Sequence, residues 1–182
     1  PSLFIYNCIC VMSDQLVSKA GTITSGDDRF MEWKTKDGNK ETTALADFTT
    51  FFEGIFQKER LLDIIKNFIC FNNEGLKSFK ILAGYHQYFA VRKAIVRTEQ
   101  AVQGDGKIGV FWHTQGSGKS LSMVFYAHLL QSTIESPTIV VITDRNDLDN
   151  QLYTQFANCK DFLRQVPVQA ESREHLKSLL NG

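Results

Sequence analysis

The period of the apolar positions changes several times along the chain, and each change marks an element. Residues 3–12 form a nearly unbroken run of Ile, Val, Phe, Tyr and Cys, the composition of a buried strand, closed by Ser13 and Asp14. One strand makes no sheet, so a strand this close to residue 1 implies a piece of something longer. Residues 19–40 are polar, with Gly21, Gly26 and Gly38 as turn signals around a short segment from Arg29 to Trp33, and predict a loop-rich excursion.

From Thr43 the spacing becomes helical. Leu45, Phe48, Phe52 and Phe56 recur at three and four residues, and Leu61, Leu62, Ile65, Phe68 and Ile69 continue the pattern past Gly54, which predicts two helices or one broken at the glycine. Residues 72–75 punctuate. A third helical pattern follows, carried by Phe89, Ile95 and Val96, with Arg92, Lys93 and Arg97 on its wetter side.

Beyond it the elements alternate. Residues 108–112 read as a strand, and 119–131 as a helix with Leu121, Val124, Phe125 and Leu129 on its stripe. Residues 138–143 form the continuous β-branched run expected of a strand covered on both faces. Leu148, Leu152 and Phe156 mark another helix, residues 166–168 begin a further strand, and Ser172 caps a last helix through Leu180. Strand and helix in regular alternation are the grammar of a parallel sheet with helices on its faces, so the expected class is α/β.

Between the strand at 108–112 and the following helix stands Gly116-Ser117-Gly118-Lys119-Ser120. Glycines let a backbone curl close to an anion, and the helix start offers unpaired N–H groups and a favourable dipole. Lys119 would reach the β and γ phosphates of a nucleotide, and the Ser120 hydroxyl would complete the shell of a Mg²⁺ ion. His113 occupies the place of the first glycine in the usual phosphate-loop pattern. The order strand, loop, helix and the G-x-G-K-S half still supply the cradle.

Composition adds boundaries rather than a function. Hydrophobic residues make up 43% of the 182 positions and charged ones 22%, the balance of a chain that folds. Twenty basic and twenty acidic side chains cancel, so a nucleic-acid contact would have to be local. No apolar run approaches the length that crosses a bilayer, and no secretory signal opens the chain, so the expectation is a cytoplasmic protein without a membrane partner. Cys8, Cys10, Cys70 and Cys159 form no C-x-x-C pair and have no histidine at ligand spacing. Reduced thiols are expected, with Cys8 and Cys10 facing one side of a buried strand.

Other chemistry-bearing residues read as structural. Asp144 after its β-branched run imitates a Mg²⁺-binding acid, but one helix alone separates it from the loop and Arg145 adjoins it. Glu32-Trp33-Lys34, with Asp27 and Asp28 upstream, imitates a nuclease triplet, yet a solvated loop with Trp33 tucked in is the better reading. His86, His113, His128 and His175 have no mutual spacing that suggests a triad or a metal site, and Arg92, Lys93 and Arg97 read as a solvated helix face.

Taken together, the stretches ICVMSD, GTITSGDDRFMEWKTKDG, ERLLDIIKNFICF, YHQYFAV, FWHTQGSGKSLSMVFYA, TIVVITDRNDLDNQL and PVQAESREHL resemble the restriction subunit of type I restriction-modification enzymes, whose phosphate loop has the form HTQGSGKS with its histidine. The resemblance extends through nearly the whole chain. It implies the tail of a nuclease domain over 1–42, a helical linker over 43–79, and over 80–182 the first part of a RecA-like motor domain built on a parallel sheet. The implied activity is ATP-dependent DNA translocation coupled to DNA cleavage, with ATP and Mg²⁺ as cofactors. Implied partners are double-stranded DNA and the modification and specificity subunits.

By the same resemblance Tyr85 neighbours the adenine and Gln87 reads its N6 and N7 edge, a bidentate pairing open to an amide. Thr114, Gln115, Gly116, Ser117, Gly118, Lys119 and Ser120 hold the nucleotide, Ser120 also the Mg²⁺, and Arg145 with Gln151 faces DNA. The acidic Asp-Glu motif and the arginine finger of such motors do not occur up to Gly182, so no complete catalytic set is expected here. Two other readings stay open: a non-catalytic module whose helices dock partner subunits, and another phosphate-loop protein such as a kinase.

Overall fold

The computed structural model describes residues 2–14, 16–42 and 48–181. Its elements are β1 (Cys10–Ser13), β2 (Ser18–Gly21), α1 (Phe48–Ile55), α2 (Lys58–Asn67), β3 (Ile69–Glu74), β4 (Lys77–Leu82), α3 (Tyr85–Val102), α4 (Lys119–Thr133), α5 (Asn146–Asn158), α6 (Lys160–Leu163) and α7 (Arg173–Asn181).

The chain is mixed α/β, but its described sheets are two antiparallel hairpins rather than one parallel sheet. In the first, Cys10 pairs with Gly21 and Ser13 with Ser18, and Asp14 Oδ1 accepts from the N–H of Leu16 and Val17 to fix the turn. In the second, Ile69 pairs with Leu82 and Glu74 with Lys77, and Gly75 takes a φ of +60° in the turn. The segments 108–112, 138–143 and 166–168, expected as parallel strands, carry no ladder partners. A parallel strand gains nothing from its sequence neighbour and needs a strand returned across a helix. Here Val110, Trp112 and Ile142 remain 96%, 78% and 86% exposed.

The first expected strand is also shorter than its composition suggests. Residues 2–4 make a 3-10 turn, Leu3, Phe4, Ile5 and Tyr6 are exposed, and pairing begins only at Cys10. Cys8 is exposed rather than buried, and all four thiols are free.

Helical periodicity fares better. Leu45 falls outside the described residues, but Phe48, Phe52 and Phe56 stack along α1 with ring centroids 4.4 and 5.5 Å apart. The break comes after Ile55, where Gln57 Oε1 accepts from Arg60 N at 2.7 Å and starts α2. Gly54 lies inside α1, pressed so close to Trp33 that a Cβ would collide with the indole. Ile69, expected in a helix, opens β3: Cys70 and Asn72 point inward while Phe71 points out, a two-residue period hidden in an apolar run. The boundary expected after residue 79 falls inside β4.

The core gathers Phe51, Ile55, Ile64, Phe68, Val91 and Phe125 from α1, α2, α3 and α4, closed on one side by Cys70 of β3. Phe68 lies 4.7 Å from Tyr88 and 5.5 Å from Phe125, centroid to centroid. Arg92, expected on a solvated face, instead bonds Asp63 of α2: Nε donates to Oδ2 at 2.7 Å and the second guanidinium nitrogen to Oδ1. Tyr88 Oη and Asn67 Nδ2 donate to the same carboxylate at 2.9 and 2.7 Å. This network bolts α3 to α2. Trp33 packs against Tyr85, Tyr88 and Phe89 from the other side, so α3 is held along its first turns by two separate segments.

Candidate nucleotide-binding site

The site grows out of the amino terminus of α3. Gly84 is its N-cap, and Gln87, at the third helical position, reaches back so that Oε1 accepts from Gly84 N at 2.9 Å. That contact satisfies one of the orphan donors of the helix start and orients the carboxamide. The other end, Nε2, donates to the carbonyl of Gly118 at 2.9 Å, and Gln87 is 4% exposed. One residue earlier, His86 Nε2 lies 3.0 Å from the carbonyl of Ser117. A carbonyl only accepts, so His86 carries its proton on Nε2 in this contact.

These two bonds set the loop. In a trans peptide the carbonyl of one residue and the N–H of the next point in opposite directions. Holding Ser117 O and Gly118 O toward α3 therefore turns the N–H groups of Gly118 and Lys119 away from it. Both belong to the start of α4, where first-turn amides have no intrahelical acceptor. Gly116 and Gly118 take φ values of +81° and +75°, a region side chains disfavour. A Cβ at Gly118 would also meet Gln87 Nε2 at 2.7 Å.

Lys119 folds back over the loop, its Nζ donating to the carbonyls of His113 at 2.9 Å and Thr114 at 2.8 Å. Its ammonium thus stands inside the turn. Ser117 N closes that turn on Thr114 O at 3.4 Å. Gln115 is exposed, and Ser120, at the second position of α4, is partly so. Two polar atoms here, His113 Nδ1 and Ser117 Oγ, are buried without a hydrogen-bond partner among the described residues.

No spacing along the chain pairs any histidines, yet the fold brings two together. The His113 ring lies 5.2 Å from that of His86 and 4.5 Å from Phe111. Burial first, then the neighbouring His86 and Lys119, hold the His113 imidazole below its ordinary range. Beside the pair opens a pocket of about 230 Å³, lined among others by Glu41, Tyr85, His86, Phe89, Lys93 and His113. Burial, followed by Glu41 and Glu32, pushes the Tyr85 phenol up to about 12, so it stays protonated. Lys93 Nζ donates to Gly38 O at 3.0 Å and to Asn39 Oδ1 at 3.3 Å, pinning the segment before α1 to the pocket rim.

The remaining expected residues stand apart from this cluster. Arg145 is the N-cap of α5 and forms an exposed 3.8 Å ion pair with Asp147, while Gln151 is exposed further along the helix. Asp144 is likewise exposed. Glu32 and Lys34 pair with each other at 3.3 Å on either side of Trp33, which is tucked in as expected, but the segment is half-buried rather than a solvated loop.

With this geometry in view, residues 86–182 match the SWI2/SNF2 ATPase family, a span that takes in His86, Gln87, the loop and α5. The chain belongs to the SWI2/SNF2 ATPase family. The resemblance to type I restriction subunits is also borne out among curated relatives. The type I restriction enzyme HindI endonuclease subunit of Haemophilus influenzae is 43% identical over 98% of the chain and 18% of its own length. The MjaIXP endonuclease subunit of Methanocaldococcus jannaschii is 32% identical over all of the chain and 19% of its own length. The SauCOLORF180P endonuclease subunit of Staphylococcus aureus is 28% identical over 68% of the chain and 12% of its own length. The chain thus spans less than a fifth of each of these relatives, and its SWI2/SNF2 ATPase match begins at the residue that grips the loop. Among the described residues no helix is long and apolar enough to cross a membrane.

Proposed function

We propose that residues 114–120 hold the phosphates of ATP, within a type I restriction endonuclease subunit that uses ATP to move duplex DNA and to cleave it. The observation that carries this reading is the aim of the loop: two carbonyls held by His86 and Gln87, two consecutive N–H groups turned the other way, and the Lys119 ammonium within the same turn. Phosphate oxygens would replace the neutral carbonyls that Lys119 now binds, giving shorter, charge-assisted hydrogen bonds. Thr114, Gln115, Gly116 and Ser117 supply the rest of the cradle. Mg²⁺, when bound with the nucleotide, would screen the phosphate charge, and the hydroxyl of Ser120, the second residue of α4, would hold it.

The base would enter the pocket beside Tyr85, whose ring offers a stacking face. Gln87 keeps one N–H and one lone pair beyond its internal bonds, enough for the adenine edge. On this reading Arg145 and Gln151, exposed on α5, face DNA, and the modification and specificity subunits complete the enzyme. The unpaired, apolar segments 108–112 and 138–143 are then strands of a RecA-like parallel sheet. Competition of a fluorescent ATP analogue against ATP and GTP tests the site. Displacement by ATP at a far lower concentration than GTP is expected, whereas equal displacement would remove Gln87 and Tyr85 as readers of adenine.

A further inference from the structure

The histidine in place of the first loop glycine has a ring partner that no sequence spacing announces. We propose that His86 and His113 form a positioning pair that sets the aim of the phosphate loop, His86 as the hydrogen-bond donor and His113 as the ring that holds His86 in place. The inference rests on the reading of this loop as an ATP site.

The two rings join the arms of the loop. His113 lies on the arm that leaves the 108–112 segment, where its own carbonyl accepts from Lys119 Nζ at 2.9 Å. His86 reaches the opposite arm, at Ser117 O, 3.0 Å away. Their centroids stand 5.2 Å apart, so ring contact ties one arm to the donor that fixes the other. His86 has little freedom elsewhere. Tyr85 stands edge-on to it at 5.5 Å, and it lies so close over Gly84 that a Cβ there would come within 2.8 Å of Cε1.

A glycine at position 113 would remove that ring contact, on a side where neither Tyr85 nor Gly84 holds His86, and loosen the ring there. The Ser117–Gly118 peptide would lose its anchor, and with it the fixed direction of the Gly118 N–H. Burial, together with the neighbouring His86 and Lys119, favours the neutral form of His113. The pair acts through backbone direction and touches no phosphate, which makes these positioning residues.

The test uses the whole chain and four variants, H86F, H86Q, H113G and the double variant H86F/H113G, each checked for folding by circular dichroism. Phenylalanine keeps a ring but loses the donor, and glutamine places an N–H close to where Nε2 stood. Two quantities are read: amide order parameters at Gly118 and Lys119 without nucleotide, and the dissociation constant for ATP with Mg²⁺. In H86F the order parameters are expected to fall toward the flexible range, below about 0.6. ATP binding is expected to weaken about tenfold, the size of one lost hydrogen bond, and H86Q restores both readings. H113G is expected to reproduce the H86F loss, and the double variant to cost no more than either single one. Unchanged order parameters in H86F, failure of H86Q to restore them, or additive losses in the double variant would overturn the pair. If the unaltered chain binds no ATP, the ATP reading fails, while the order parameters still decide whether the histidines position the loop.

Discussion

The carboxamide of Gln87 bridges Gly84 N and Gly118 O, 2.9 Å at each end, and so ties the first turn of α3 to the first turn of α4. A Cβ at position 118 would stand 2.7 Å from Gln87 Nε2, so a larger residue there displaces that amide. The helix that precedes the loop in sequence is therefore also its mechanical support. Whatever moves α3 moves the amides that open α4.

Gly118→Ala should show this directly. The substitution forces an L side chain to a φ of +75° and pushes the Gln87 amide off the Gly118 carbonyl. Strain of about 1–3 kcal/mol is expected from the backbone alone, read as a lower urea midpoint. ATP affinity should fall by more than about tenfold. Gly116→Ala, with open space around its Cβ, should show the backbone strain alone. Equal losses at the two positions would count against the Gln87 contact.

Asp63→Ala should loosen the support from behind. It removes the acceptor of Tyr88, Arg92 and Asn67 at once and leaves the Arg92 guanidinium partly buried without its partner. Because a third of the Arg92 side chain still reaches solvent, a loss of about 2 kcal/mol is expected, below the usual cost of breaking a buried pair. Equilibrium urea denaturation measures it. Arg92→Lys should recover only part of the native stability, since an ammonium cannot make the two-pronged contact.

Acid should destabilise the fold before its carboxylates titrate. Burial leads in holding both His113 and His128 below their ordinary range, with Lys119 adding to it at His113 and Arg164 at His128, although the Phe162 carbonyl works the other way on His128. The unfolded chain takes up these protons near 6.5 and the folded chain only at lower pH. Stability is thus full above that value and declines as pH falls through it, until the folded imidazoles titrate in turn. Urea midpoints at pH 7.5 and 5.5 should differ in that direction, and the difference should shrink in H128Q. A midpoint that rises on acidification would contradict the burial argument.

The long helices were legible because their apolar stripes repeat over several turns: Ile95 in α3 and Val124 and Phe125 in α4 are buried, although Val96, expected on the same stripe of α3, is exposed and Val91 takes the inner place. So was the cap of α7, where Ser172 Oγ accepts from His175 N at 3.0 Å. The β3–β4 hairpin was not, because the apolar run ending α2 also fits a helical period as far as Ile69. The alternation of Phe79, Lys80 and Ile81, with Gly75 before it, was the signal that could have revealed it. Nor was the service of Arg92 legible, since its partner Asp63 lies on another helix and no local spacing links the two.

At the site, glycine and lysine spacing disclosed the loop, and the Gln87 position was singled out by resemblance. What the spacing hid was tertiary: the carboxamide faces the loop backbone, and His86 meets His113. The 138–143 run shows the converse, a strand composition that finds no lateral partner among the described residues.

The most direct measurement is calorimetric titration of this chain with ATP and Mg²⁺, beside Lys119→Ala. Saturable binding at a single site is expected, weakened by about ten- to a hundredfold in the variant, the effect of losing charge-assisted hydrogen bonds to phosphate. Equal affinity in the variant, or no heat at millimolar ATP, would contradict the assignment of residues 114–120 as a phosphate cradle.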